Sequence, residues 1–287
     1  MQVLHTVSET RTATTEVRMA GRKIGFVPTM GALHDGHMSL VRRAREECDY
    51  VAVSIFVNPT QFGPSEDFDK YPRTFSDDLE KCKKARVDLV FAPPASEMYP
   101  PGFDSWVEVK GFITQTLEGE CRPNHFRGVT TVCAKLFNIV GPDVAYFGMK
   151  DYQQLKVIQK MVRELNMPLE IVPCPTAREA DGLAMSSRNS YLSPEEREAA
   201  LVLSRSLMKA QEIFASGERE AEVIEGVARQ VLLSEPLVRI DYVAVRDAET
   251  LEPIERVEKE AVVLIAARIG STRLIDNCLL SVEHRTD

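Results

Sequence analysis

Two histidines in a glycine-containing loop are the first residues whose types and spacing could do chemistry. His34 and His37 lie three residues apart in the run PTMGALHDGH, residues 28–37. In helical or turn geometry, side chains three residues apart face the same way, so both imidazoles could donate to one phosphate. Gly31 and Gly36 would let the backbone turn tightly and approach an anion closely. The run therefore predicts a phosphate site.

Metal binding is the alternative for the same pair. His34 and His37 have no third ligand nearby in the sequence, and Asp35 would point elsewhere on a helical wheel. Phosphate therefore remains the favoured ligand, and the ligands of any metal ion stay unknown.

Neutral amides follow an apolar run at a second position. In SIFVNPTQF, residues 54–62, Asn58 and Gln61 come directly after a predicted buried strand. An amide both donates and accepts hydrogen bonds, which suits the hydroxyl and carboxylate groups of a small substrate. The alternative is that these amides cap neighbouring backbone, and the motif alone does not decide between the two.

A lysine follows a third strand in FGMKDYQQL, residues 147–155. Lys150 falls in the first turn of a predicted helix, where a cation is unfavourable unless an anion joins it. Asp151 could cap that helix or take part in chemistry. Gln154, one turn further on, would face the same crevice.

Hydroxyls and a guanidinium cluster in a fourth stretch, DGLAMSSRNSYLS, residues 181–193. Ser186, Ser187 and Arg188 could form a flexible phosphate clasp. A serine-rich linker is the alternative, but a position at a domain junction favours a lid that closes over a nucleotide.

These loops require elements to position them, and the first 175 residues alternate between strand and helix patterns. We predict a parallel, doubly wound α/β sheet in which ligands gather where strands end and helices begin. Only the segment from Trp106 to Phe126 breaks the rhythm, and it predicts a surface flap or small hairpin. The predicted strands are 23–27, 50–57, 87–91, 143–147 and 169–172, and the predicted helices are 38–48, 77–86, 129–140 and 151–165.

A second domain is predicted from residue 176 onward. Ser193, Pro194 and Glu196 form a capping box that starts a helix ending near Gly217. A second helix and two β-prone runs follow it, at 219–233, 240–245 and 261–267. The expected organisation is therefore a Rossmann-like domain over 1–175 and a smaller α+β lid domain over 176–287.

Composition excludes several classes of function. The 287 residues carry a net charge of −8, which disfavours nucleic acid as a partner. No apolar run approaches the ~20 residues of a membrane helix, and the N-terminus lacks a secretory pattern, so we expect a cytoplasmic protein. The six cysteines form no CxxC pair, which disfavours a zinc site or a disulfide framework.

Taken together, the four loops resemble those of the pantothenate synthetases. YPRT at 71–74, LVFAP at 89–93 and RPNHFRGV at 122–129 are similar as well. HDGH resembles the HxGH signature of adenylate-forming nucleotidyltransferases, and MSSR resembles their mobile phosphate-binding loop. The resemblance implies a Rossmann-like domain with a C-terminal lid, usually in a homodimer. The implied reaction joins pantoate to β-alanine with ATP and Mg²⁺, and it gives pantothenate, AMP and pyrophosphate.

The resemblance also assigns roles to residues. It implies a role for His37 as general acid or hydrogen-bond donor and binding of pantoate by Gln61 and Gln154. From their positions in the loops, His34 and Lys150 are expected to join His37 in catalysis, and Asn58 is expected to bind substrate. The sequence departs from the family at Met149, where glutamate is usual. The implied ATP-binding residues are Met30, Gly31, Ala32, Leu33, His34, Asp35, Gly36, His37, Gly148, Met149, Lys150, Asp151, Ala177, Met185, Ser186, Ser187 and Arg188.

Two other functions stay open on the sequence alone. One is an HxGH nucleotidyltransferase that keeps the adenylyl group in its product. The other is a nucleotide-binding module without catalytic activity.

Overall fold

The computed structural model describes residues 1–64 and 66–282, and its chain forms two compact units. The first unit contains Met1–Met149 and Gln154–Thr176, and the second contains Lys150–Gln153 and the chain from Ala177 onward. The predicted division after residue 175 falls one residue from the end of the first unit. Residues 150–153 differ from the prediction, because Asn277 and Ala248 of the second unit hold them through hydrogen bonds.

The first unit is built on a six-stranded sheet in which every neighbouring pair is parallel. Its strand order is β1-β4-β3-β2-β5-β6. The strands are β1 Gln2–Leu4, β2 Ile24–Thr29, β3 Tyr50–Ile55, β4 Leu89–Phe91, β5 Val144–Gly148 and β6 Glu170–Cys174. The helices along this part of the chain are α1 Val7–Met19, α2 Asp35–Glu47, α3 Phe75–Lys84, α4 Ala95–Met98, α5 Phe112–Gln115, α6 Glu118–Cys121, α7 His125–Val140 and α8 Tyr152–Glu164.

Apolar side chains cover this sheet on both faces, as the continuous apolar strands predict. Phe26 and Phe147 belong to a core that includes residues of α7 and α8. Val27 and Tyr146, their neighbours along β2 and β5, belong to a second core with residues of α2. Successive strand residues point to opposite faces, so one strand supplies both cores. The predicted doubly wound α/β fold is confirmed.

The strand order reverses between β2 and β5. From β2 the chain builds outward through β3 and β4, and it then returns to place β5 on the other side of β2. Ligands of open α/β sheets bind at such a switch point, beyond the carboxyl ends of the strands. The loop after β2 and the loop that begins at Gly148 both start at this position.

The second unit is an α+β domain, as predicted. A three-stranded antiparallel sheet, in the order β7-β8-β9, packs with two helices around a separate apolar core. Its elements are α9 Pro194–Ala215, α10 Ala221–Leu233, β7 Val238–Asp247, β8 Glu260–Ile269 and β9 Thr272–Ser281. The predicted capping box is confirmed, because Ser193 Oγ accepts from the Glu196 amide at 3.2 Å and Glu196 accepts from the Ser193 amide at 2.9 Å.

The predicted hairpin between Trp106 and Phe126 is wrong. The segment forms the one-turn helices α5 and α6, which approach so closely that a Cβ at Gly119 would lie 2.0 Å from the Thr114 carbonyl oxygen. The side chains of Ile113 and Leu117 are buried, but most residues between 106 and 124 are exposed or half-buried, so the segment lies largely at the surface, as the flap alternative predicts.

Four further differences concern sheet edges and termini. The sequence patterns predict neither β1 and α1 nor β9, although all three are well formed. The predicted end of β6 before Pro173 is also wrong, since the strand continues through that residue and pairs it with Phe147. Proline is tolerated there because β6 lies at the edge of the sheet.

Candidate active site

The turn after β2 is held by hydrogen bonds that its own backbone amides donate. Gly31 and Ala32 have φ angles of 81° and 50°, in the left-handed region. That conformation costs a non-glycine residue roughly 1 kcal/mol, so the turn needs support at Ala32. The Gly31 amide donates to Thr29 Oγ1 at 3.1 Å, and the amides of Ala32 and Leu33 donate to the carboxylate of Asp78 at 2.9 and 2.8 Å. These three amides are therefore bonded within the protein.

The two histidines lie side by side, as their spacing predicts. The ring centroids of His34 and His37 are 4.1 Å apart with an interplanar angle of 40°. His34 precedes the first residue of α2, and its amide donates to Nδ1 of His37 at 3.3 Å. A ring nitrogen that accepts a hydrogen bond carries no proton, so the network assigns the His37 proton to Nε2.

The other residues of this loop differ in what they can offer a nucleotide. Asp35 is exposed, and Gly36 lies in the first turn of α2, where amides have no acceptor within the helix. Met30 is half-buried and its sulfur accepts from Gln61 Nε2 at 3.1 Å. Leu33 is buried in the core, and Lys81 Nζ donates to its carbonyl oxygen at 2.5 Å.

Gln61 is fixed at the end of a short 3-10 helix, Pro59–Gln61. Its Oε1 accepts from Asn58 Nδ2 at 3.0 Å, while its Nε2 donates to Met30. Only 9% of Gln61 is exposed. Each of these bonds uses part of the amide's capacity, since an amide nitrogen has two protons and the oxygen two lone pairs.

Asn58 is committed to the interior. Its side chain is 1% exposed, and its nitrogen donates to Gln61 and to the carbonyl oxygen of Gly128 at 3.2 Å. Its oxygen accepts from the Thr60 amide, the Thr60 hydroxyl and the Tyr99 hydroxyl. Both amide protons are used, so the structure supports the capping alternative for Asn58 rather than direct substrate binding.

A buried polar network lies against the backbone of Gln61. His125 Nδ1 bonds the Gln61 carbonyl oxygen at 2.9 Å, and its Nε2 contacts Arg122 Nη1 at 3.1 Å. Arg122 pairs with both carboxylate oxygens of Glu66 at 2.8 Å. Burial, with the nearby charge of Arg122, lowers the pKa of His125 to about 4. A neutral imidazole can donate from Nδ1 and accept at Nε2, which satisfies both neighbours.

Glu66 completes this network with a negative charge. Burial alone would raise the pKa of Glu66, but the hydrogen bonds and charge of Arg122 outweigh burial and lower it. Glu66 is therefore ionised at neutral pH, and its pair with Arg122 ties the segment after Gln61 to the residues just before α7.

The loop after β5 divides between the two units. Gly148 ends β5 and Met149 follows it, both in the first unit, and Met149 packs partly buried against the core there. Gln154 is half-buried near the start of α8. Lys150 and Asp151 belong to the second unit, where Nζ and Oδ1 lie 3.8 Å apart.

The Lys150 backbone is held from β9. Asn277 Nδ2 donates to the Lys150 carbonyl oxygen at 2.8 Å, and the Asn277 amide donates to Asp276 Oδ1 at 2.8 Å. Asp276 is 2% exposed and pairs through both oxygens with Arg178, at 2.7 and 2.9 Å. Hydrogen bonds to Asp276 raise the pKa of Arg178.

A small turn brings Ala177 and Met185 together in the second unit. The Met185 amide donates to the Ala177 carbonyl oxygen at 2.9 Å, and Arg178 forms a bridge with Ala184. Gly182, with φ of 96°, closes the turn, and Arg178 donates to its carbonyl oxygen at 3.0 Å.

The predicted phosphate clasp follows this turn directly. Ser186 caps a 3-10 helix, Ser187–Tyr191, and its hydroxyl accepts from the Arg188 amide at 3.3 Å. The three residues of the clasp are half-buried. The segment therefore has a defined conformation, unlike the linker alternative.

Several residues around these loops were not identified from the sequence. Asp78, Glu66 and His125 act over long separations, such as 46 residues between Asp78 and Ala32. RPNHFRGV contains Arg122 and His125, so its resemblance to the family was the available signal. No pattern in the sequence pointed to Asp276 or Asn277.

Within 1–64 and 66–282, no group of three or more histidine, cysteine or acidic side chains is arranged to hold a metal ion. Cys133 is buried, and its burial raises the pKa of the thiol to about 12. In the same residues no helix combines the length and apolarity that crossing a membrane requires.

Known proteins match this chain in sequence over nearly its whole length. The family model for pantoate–β-alanine ligases matches residues 2–279. A pantothenate synthetase of Roseiflexus sp. (strain RS-1) is 56% identical over 98% of this chain and 99% of its own length. That of Moorella thermoacetica is 53% identical over 98% and 99% of the two chains.

Solved structures also match the chain over nearly its whole length. Pantothenate synthetase from Thermus thermophilus superposes with a TM-score of 0.92 at 47% identity, covering 97% of this chain and 99% of the other. The pantoate–β-alanine ligase from Francisella tularensis, complexed with beta-gamma ATP and beta-alanine, superposes with a TM-score of 0.81 at 34% identity, covering 97% of each chain. Since sequence and fold agree over nearly its whole length, the chain belongs to the pantoate–β-alanine ligase family.

Proposed function

We propose that this chain condenses pantoate with β-alanine through a pantoyl-adenylate intermediate and releases AMP and pyrophosphate. The observation that carries the proposal is the paired histidines at the sheet's switch point, in a chain that matches the ligase family throughout. The ATP and β-alanine in the Francisella structure support the same substrates here.

In the first step a pantoate carboxylate oxygen attacks the α-phosphorus of ATP. A new P–O bond forms as the bond to the bridging oxygen breaks, and pyrophosphate departs with the electron pair. His37 would donate from Nε2 to the phosphate oxygens where charge develops, a role consistent with its hydrogen bond from His34. His34 would be a second donor and Lys150 a cation for the phosphates.

In the second step the deprotonated amine of β-alanine attacks the acyl carbon. The bond between that carbon and the phosphate oxygen breaks, and AMP leaves. Adenylation has replaced a poor leaving group, so the protein mainly positions the reactants. This step needs no nucleophile from the enzyme.

The remaining site residues are proposed from the family resemblance. Met30 to His37 and Gly148 to Asp151 would contact ATP, together with Ala177 and the run Met185 to Arg188. Gln61 and Gln154 would bind pantoate. Asn58 would act through Gln61, because its own amide protons are already bonded.

Magnesium would accompany ATP. The described residues form no dedicated acidic cage, which fits a metal carried mainly by phosphate oxygens and water. When bound, it would neutralise charge on the triphosphate, and we assign no protein ligand to it. The cytoplasmic location remains a prediction from the sequence pattern, and the homodimer and the role of residues 176–287 as a lid remain predictions of the resemblance.

Release of AMP distinguishes this function from its alternatives. The ligase should form AMP only when pantoate and β-alanine are both present, measured by chromatography with each substrate omitted in turn. A nucleotidyltransferase would instead keep the adenylyl group in its product. A silent module would bind ATP in calorimetry without forming pyrophosphate, and either result would contradict the proposal.

A further inference from the structure

A buried carboxylate lies behind the turn that leads to the histidines. Asp78, in the first turn of α3, is 1% exposed. Its two oxygens accept from the amides of Ala32 and Leu33, and Thr74 Oγ1 donates to it at 3.2 Å. Lys81, further along the same helix, bonds the Leu33 carbonyl oxygen, so α3 holds this turn at two points.

The turn has the form of an anion-binding site, and the protein fills it with its own anion. Successive amides around a left-handed residue make a concavity that attracts negative charge. Here Gly31 and Ala32 supply the left-handed conformation. A Cβ added to Gly31 would lie 3.1 Å from Asp78 Oδ2, so the backbone packs directly on the carboxylate.

We propose that Asp78 is a positioning residue for the histidine pair. Leu33, whose amide and carbonyl are both bonded by α3, is followed immediately by His34, whose amide fixes the His37 ring. The Asp78 carboxylate thus fixes the backbone at Leu33, and this backbone places the His34 amide that determines the tautomer of His37. The catalytic part of this inference rests on the proposed function, in which His37 donates to phosphate.

Asp78→Asn tests the proposal with little change in side-chain size. The amide keeps one acceptor but turns an NH₂ group toward a backbone amide, so one of the two bonds to the turn is lost. Asp77→Asn is the matched control, because Asp77 is the exposed neighbour on the same helix and makes the same change in charge.

We expect kcat of Asp78→Asn to fall roughly ten- to hundred-fold, with the Asp77→Asn enzyme close to wild type. A double-mutant cycle with His37→Ala should be strongly non-additive, since both changes remove the same donor alignment. Loss of stability alone would instead leave the two effects additive, and additivity would overturn the proposal.

A readout independent of activity is the ¹⁵N spectrum of the histidine rings, assigned with His37→Ala. Asp78→Asn should shift the His37 Nδ1 signal, whereas Asp77→Asn should not. Unchanged His37 signals in a folded Asp78→Asn protein would overturn the positioning role. If the wild-type protein forms no AMP while Asp78→Asn still shifts the His37 signal, only the proposed function is refuted.

A second pair of variants covers the case in which Asp78→Asn does not fold. Lys81→Met removes the bond to the Leu33 carbonyl oxygen, and Lys84→Met changes an exposed lysine on the same helix. A shift of the His37 signal in Lys81→Met alone supports control of the histidines from α3. Identical spectra for the two variants would contradict it.

Discussion

At the scale of single residues, the proposed chemistry depends on which nitrogen of His37 carries the proton. The His34 amide bonds Nδ1, so Nε2 remains as the donor. That the two rings face each other could be predicted from their spacing. The source of the tautomer could not, because it requires His34 to be non-helical, with φ of −124° and ψ of 176°.

We predict that His37→Ala lowers kcat by about 10²–10³-fold with the fold intact, the usual effect of removing one donor to developing charge. His37→Gln, which retains a donor NH₂ group, should lose less. Turnover of pantoate and ATP by purified variants measures this. Near-normal turnover of the alanine variant would remove His37 from the mechanism.

His125 gives a prediction for stability against pH. Its folded pKa of about 4 lies below the ordinary 6.5, so between these values the unfolded chain binds a proton that the folded chain does not. Stability therefore falls as pH drops through this window. The loss from pH 7 to pH 5 should be on the order of 2 kcal/mol.

Urea denaturation at both pH values, compared with His125→Asn, measures that loss. The asparagine variant keeps a donor for the Gln61 carbonyl oxygen but has no titrating ring, so its pH dependence should be smaller. Parallel curves for the two proteins would show that His125 titrates normally.

At the scale of elements, the site depends on a close approach between α7 and the 3-10 helix that ends at Gln61. A Cβ at Gly128 would lie 2.3 Å from the Thr60 carbonyl oxygen and 2.7 Å from Gln61 Cα. Only glycine permits this spacing without a shift of backbone. The sequence contains the glycine, but its contact with residue 60 is a property of the tertiary structure.

Gly128→Ala should therefore move Gln61, and raise the KM for pantoate well above its effect on the KM for ATP. We also expect a loss of stability of about 1–3 kcal/mol from overpacking. Gly226→Ala, in α10 with nothing within 4 Å of the added Cβ, is the control and should stabilise by up to ~1 kcal/mol. Equal KM changes for both substrates would contradict this account of the pocket.

The elements themselves were predictable where their patterns are local. The alternation of strand and helix patterns located β2, β3 and β5, and the capping box located the start of α9. The helical turns between residues 106 and 126 could not be predicted, because the path of this segment depends on contacts with α7, where the Thr130 hydroxyl donates to the Val107 carbonyl oxygen at 2.6 Å. Edge strand β1 is only three residues long, too short for periodicity to show.

At the scale of the whole molecule, the adenylate mechanism requires acid activation to precede amine attack. Pantoate and ATP alone should then drive exchange of labelled pyrophosphate into ATP, with β-alanine absent. His37→Ala should suppress this exchange if the histidine acts in the first step. Exchange that requires β-alanine would reverse the proposed order.

The most direct test follows the oxygen that joins the two substrates. Pantoate labelled with oxygen-18 in its carboxylate is incubated with ATP, Mg²⁺ and β-alanine, and the AMP is analysed by mass spectrometry. The attacking oxygen stays on phosphorus when the acyl bond breaks, so we predict one labelled oxygen in each AMP phosphate. Unlabelled AMP would mean that the carboxylate never attacked phosphorus, and it would contradict the adenylate mechanism.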